Sequence, residues 1–214
     1  MMPRLLITAL LCTLLLATTG CTRELVMTDQ ERINERIPWE IPTPEVDLNA
    51  WQAPAQLGTF SYQGDISLDQ RHLRMLRYTR LRDGKEQRLE LQLFPIPGGW
   101  DDMPPSRLIA GQYGPQRQQL GERALHRGAL EVVVTEERAD VEDALPLPVA
   151  VGHLQQQYRN TRAVTLLSVT ALPPVFVSAT VTGHPDQADD LDVAVREALL
   201  AFAAANAGSA DASP

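Results

Sequence analysis

The chain has few thiols, few lysines and no long apolar run. Its two cysteines, Cys12 and Cys21, both fall within the first 21 residues. Whatever folds after them has no disulfide, no thiolate metal site and no cysteine nucleophile. Lys85 is the only lysine, so almost all positive charge is guanidinium. The net charge of −8 argues against a nucleic-acid partner, because phosphate binding needs clustered positive charge. No Gly-x-Ser-x-Gly elbow occurs. No glycine loop suits a phosphate either, since Gly98-Gly99 leads into Trp100 and the acidic pair Asp101-Asp102. His72, His126, His153 and His184 are scattered, with no pair at the i, i+4 spacing of a helical zinc motif. The most apolar run, Leu5 to Gly20, falls short of the roughly 20 residues needed to span a bilayer, and threonines interrupt its second half. There are no internal repeats.

What is present is the mix of a soluble globular protein, 44% hydrophobic and 21% charged. It is preceded by a leader. Arg4 stands before the apolar run Leu5–Leu16, and small residues lead to Cys21, which is the layout of a secretory signal peptide. Ending on Gly20-Cys21, the stretch Leu16-Ala17-Thr18-Thr19-Gly20-Cys21 resembles the lipobox of bacterial lipoproteins, with Thr18 where that family favours Leu. The resemblance implies that residues 1–20 are removed and that Cys21 carries lipid. With Thr22 rather than Asp after the cysteine, it further implies an outer-membrane anchor facing the periplasm.

Residues 21–50 read as the lipidated cysteine and a tether. Thr28 and Glu31 have the spacing of a capping box, Pro38 ends any helix, and Pro42 and Pro44 keep the chain extended. A flexible segment of this length averages roughly 30 Å end to end. Residues 51–206 read as one periplasmic domain, and 207–214 as a disordered tail.

Within the domain the patterning predicts an α+β fold. Its antiparallel sheet has about five to six strands, packed by a long C-terminal helix and one or two shorter helices. Asp83-Gly84 between two alternating runs is a hairpin signal, because a type I′ turn needs positive φ at both central residues. With those two residues as the loop, Leu76 faces Leu91, Tyr78 faces Leu89, Arg74 lies opposite Leu93 at the rim, and Arg77 meets Glu90 as a cross-strand ion pair. Strands are also expected at Thr59–Tyr62, Ala129–Thr135, Ala163–Thr170 and Val175–Thr182. A helix is expected from about Gln116 to Leu125 with Pro115 in its first turn, and a short one over Val151–Tyr158. The last helix, capped by Asp186, aligns Leu191, Ala194, Val195, Ala198, Leu199 and Phe202 as one apolar stripe.

No constellation identifies a reaction. Asp186, Asp189, Asp190 and Asp192 beside His184 are the densest set of hard-cation ligands, but their spacing is not that of an EF-hand, and capping accounts for the first two. Neither cofactor nor metal is expected. The surface that stands out is Phe94-Pro95-Ile96-Pro97-Gly98-Gly99-Trp100. Phe94, Ile96 and Trp100, together with Trp39 in the tether, are candidates for docking a partner or ligand, while Trp100 also suits a plug for the end of the sheet. The expected function is a non-enzymatic binding or assembly module of the cell envelope, held to the membrane by lipid and working with an envelope protein partner. The alternatives are a carrier of a lipid or other apolar ligand between sheet and last helix, and an envelope hydrolase.

Overall fold

A computed structural model describes residues 45–68, 72–100, 102–139 and 146–208. They belong to one compact unit, Ile41–Pro214. The expected signal peptide, Cys21 and Trp39 lie outside the described residues.

The Asp83-Gly84 hairpin sets the centre of the sheet. Both residues adopt positive φ, 51° and 72°, and join β3 (Leu73–Arg82) to β4 (Lys85–Pro95). The register is the one that the two-residue turn dictates, with Leu76 opposite Leu91, Tyr78 opposite Leu89 and Arg77 opposite Glu90. Two details differ. Arg77 and Glu90 are neighbours but close no ion pair among the described residues. Arg74 is buried rather than at the rim, because the segment before the sheet folds over it. Its guanidinium donates to the carbonyls of Leu48 and Trp51 at 2.9 and 2.7 Å and to Asp65 at 2.8 Å.

β1 (Gln56–Leu57) and β2 (Phe60–Leu68) extend this hairpin outward. β5 (Glu131–Arg138), β6 (Ala150–Gln157), β7 (Arg162–Leu172) and β8 (Val175–Gly183) form a second meander, and β8 pairs with β4. The result is one antiparallel sheet of eight strands, in the order β1-β2-β3-β4-β8-β7-β6-β5. Two strands beyond the six expected account for the difference. β1 has only two residues, too short to carry a periodic signal. β6 occupies the stretch expected to be a short helix. Its glutamines favour helix in isolation, but pairing with β5 and β7 on both edges overrides that preference.

One helix covers each face. α1 (Pro105–His126) carries the chain from central β4 to edge strand β5 and begins well before the expected Gln116. Pro105 takes the first-turn place that Pro115 was expected to fill, leaving Pro115 inside the helix. Pro115 and Gly111, whose carbonyl would have received its N–H, are both exposed, so water can satisfy the lost bond. Ile109 and Tyr113 of α1 pack on Ala150, Leu154, Leu167 and Val169. Gly152 makes this approach possible: a Cβ there would lie 1.9 Å from the Tyr113 hydroxyl.

α2 (Ala188–Ala205) lies on the opposite face. Its stripe, Leu191, Ala194, Val195, Ala198, Leu199 and Phe202, is at most 3% exposed. Burial of each of its larger side chains is worth about 1.5–3 kcal/mol. The helix starts later than expected: Asp186 sits in a 3-10 turn, Pro185–Gln187, whose cap is His184. Asp189 and Asp190 do fall in the first turn of α2, where the helix dipole favours them. Asp190 holds Arg80 at 2.5 Å. At the other end Asn206 receives the N–H of Gln52 and donates to its carbonyl, tying α2 to the first segment.

Candidate functional site

α1 lies over β5, β6 and β7 and leaves part of its own sheet face open. On that face β4 and β8 present alternate residues: Glu90 opposite Thr180, and Gln92 opposite Ser178. Thr182 of β8 pairs in turn with Thr165 of β7. The last two turns of α1 overhang these rows, and the space between is a groove of about 560 Å³. The volume falls within the range of small-ligand sites, about 300–1,000 Å³.

The groove is polar. Arg88, Arg123 and Arg127 oppose Glu86 and Glu90, a local excess of one positive charge in a chain of net −8. Arg123 and Arg127 lie one helical turn apart and close no ion pair among the described residues. Arg88 and Glu86 make a loose exposed contact of 3.5 Å. One side of the floor is internally satisfied. Tyr158 donates to Gln156, Gln156 to Thr165, and Thr165 shares a bond with Thr182, each at 2.8 Å. The other side is not. Gln92 is 7% exposed and closes no side-chain hydrogen bond among the described residues, but its amide is not sealed off and faces the groove, whereas the hydroxyl of its neighbour Ser178 is fully buried without a partner. Facing the groove, the Gln92 amide is free to bond whatever occupies it, water included. No histidine or cysteine is among the described lining residues.

Phe94, Ile96 and Trp100, the aromatic and proline-rich corner, come together at another place. Ile96 is 2% exposed and joins Leu108 and Phe176 in a small core. Phe94 and Trp100 are half-buried, with ring centroids 5.6 and 6.3 Å from that of Phe176. A Cβ on Gly111 would lie 3.3 Å from the Trp100 ring, so Trp100 sits wedged between α1 and the sheet end.

The other expected chemistry is spread over the molecule. His184 accepts the Asp186 N–H at 3.4 Å as a cap. Among the described residues no three His, Cys, Asp or Glu side chains gather to hold a metal. Buried His153 lies 3.5 Å from Glu136 of the edge strand, away from the groove. The interface between sheet and α2, where an apolar ligand was to lie, is filled by side chains, including Trp51 stacked on Phe202 at 6.1 Å. Ionisation is perturbed at structural contacts. The Arg74 guanidinium, helped by the Tyr62 hydroxyl, holds Asp65 below its ordinary value. Burial pushes Tyr78 and Tyr113 well up.

The groove escaped sequence reading because five elements supply it. The alternation Glu90/Gln92 on β4 and Thr180/Thr182 on β8 was the available signal: polar side chains at period 2 in strands otherwise apolar enough to be internal.

No protein-family model matches the chain, and no curated protein does. Among solved structures it is similar to a protein of unknown function from Pseudomonas aeruginosa, PA94, described as a putative regulator. The identity is 10% and the TM-score 0.38, over 66% of this chain and 94% of that one. A likeness at that level carries no argument about function.

Proposed function

We propose that this protein is a lipid-anchored envelope lipoprotein and a non-enzymatic binding module whose binding face is the groove between α1 and the sheet. The observation that carries the reading is the groove lining: the Gln92 amide faces the groove without a protein hydrogen bond, and Arg123 and Arg127 line it with no ion pair among the described residues. The anchor rests on the lipobox resemblance at Cys21, with Thr22 favouring the periplasmic face of the outer membrane. An apolar carrier is less well supported, since side chains fill the sheet–α2 interface. A hydrolase lacks support as well, because the ionisable groups described in the groove are three arginines, two glutamates and Tyr158, and no pair of them is brought within hydrogen-bond reach as a nucleophile and its base.

A photoreactive residue at Thr182, in the groove, is expected to crosslink in cell envelopes to one species of defined mass. The adduct should vanish with Arg123→Glu/Arg127→Glu and should not form from Val193 on the opposite helix. The same adducts from both positions, or none from either, would contradict the reading. Separately, Cys21→Ala should release the protein from membranes, and persistent tight fractionation with them would overturn the anchor.

A further inference from the structure

We infer that the groove takes an extended peptide or peptide-like chain ending in a free carboxylate, with Arg123 and Arg127 reading the carboxylate and the Gln92 amide bonding the backbone. This rests on the groove being the binding face.

Each part follows from donor and acceptor inventory. Arginine presents a planar fork that matches a carboxylate in bidentate fashion. Arg123 and Arg127, about 6 Å apart along the axis of α1, have no such partner among the described residues. The helix dipole favours cations in this turn, yet leaves their fork geometry unmatched. A primary amide offers one carbonyl acceptor and two N–H donors, the complement of a peptide unit. Gln92 holds that set unused at the floor.

Other ligand classes fit less well. Glu86 and Glu90 in the same groove oppose a polyanion such as a phosphorylated chain or nucleic acid. Glu90, half-buried and without an ion pair, instead suits an ammonium or amide N–H. Stacking on a base or sugar ring needs aromatic faces, and Tyr158 is the only aromatic residue among the described lining residues. An apolar ligand would strip water from Gln92 and the threonines without replacing its bonds.

The test uses the full-length acylated protein in detergent and follows the Gln92 side-chain amide and the amides of α1 by NMR. The probes are tri-alanine, its C-terminal amide, its N-acetyl form, and inorganic phosphate. Tri-alanine should shift the Gln92 amide and residues 123–127, and C-terminal amidation should weaken binding by about tenfold or more. Arg123→Gln/Arg127→Gln should do the same and remove the distinction between acid and amide. Gln92→Met should weaken all peptide probes a few-fold while leaving thermal stability unchanged or raised, which a purely structural role would not do.

Equal binding of acid and amide, binding of phosphate without tri-alanine, or no binding of any probe overturns the inference. If the Thr182 crosslink still forms in that case, the groove remains the binding face and only the peptide class falls. If it does not, both fall.

Discussion

Gly152→Ala should destabilise the fold through one contact whose geometry is fully specified. The added Cβ would meet the Tyr113 hydroxyl at 1.9 Å and its Cζ and Cε2 at 3.0 and 3.4 Å. The ring must therefore retreat by more than 1 Å, roughly, to reach ordinary contact. It cannot do so freely, because Ile109, Leu154, Leu167 and Val169 hold it, and interiors of this density resist local shifts. Overpacking of this kind costs about 1–3 kcal/mol, and the rigid strand position argues for the upper half of that range. For a domain of this size that lowers Tm by about 5–10 °C. The hydroxyl closes no hydrogen bond of ordinary geometry, although the Glu137 carboxylate is near enough to act on it, so Tyr113→Phe alone should lie within about 1 kcal/mol of the parent. In the double variant the worst clash disappears and the remaining contacts need only a few tenths of an ångström. Most of the loss should then return. Urea titrations of the four proteins give the coupling energy directly. Additive effects, or a Gly152→Ala protein within about 0.5 kcal/mol of the parent, would refute the packing of α1 on β6 described above.

Three further outcomes are expected. Arg80→Met removes bonds to Gln87, Thr59 and Asp190 and the cation over Phe60 at 4.8 Å. Chemical denaturation should report a loss of about 2–4 kcal/mol, and a negligible loss would contradict that network. Because Asp65 has its pKa lowered in the fold, its contribution to stability is present above its ordinary value of 3.8 and lost as pH falls through the folded value. The stability gap between the parent and Asp65→Asn should thus be open at pH 7 and narrow below pH 4, whereas a constant gap would exclude the Arg74 contact as its cause. Trp100→Ala should lower stability by about 1–3 kcal/mol, as a half-buried wedge against Phe176 would. Unchanged stability with lost partner binding would restore Trp100 as a docking residue.

The parts of the fold legible in the sequence were those fixed by local chemistry. Asp83-Gly84 determines its own turn, the turn determines the register of β3 and β4, and the stripe Leu191–Phe202 identifies the buried side of α2. β6 was not legible, because Gln155, Gln156 and Gln157 suit a helix until two neighbouring strands claim their backbone. The start of α1 was misplaced at Gln116 because Pro115 suits a first turn, although Pro105 suits one equally well and the helix begins there. The groove depended on the strand order, which local pattern does not encode: Gln92, Thr182 and Arg127 come to line one groove only once β4 pairs with β8 and α1 crosses over. The aromatic corner stood out in sequence because it sets one of only three tryptophans beside clustered proline and glycine, and packing against Phe176 and Gly111 then accounts for it.

On the reading proposed above, Cys21 anchors the protein to a membrane and the groove is then occupied. The chain's two cysteines both precede residue 22, which permits a direct measurement by thiol labelling. Thr182→Cys and Val193→Cys, each in the full-length anchored protein, would be reacted with a maleimide in isolated envelopes and again after detergent extraction. Thr182→Cys should react about tenfold more slowly in envelopes than after extraction, while Val193→Cys, exposed on the opposite helix, should react alike in both. Equal protection ratios at the two positions would contradict the account.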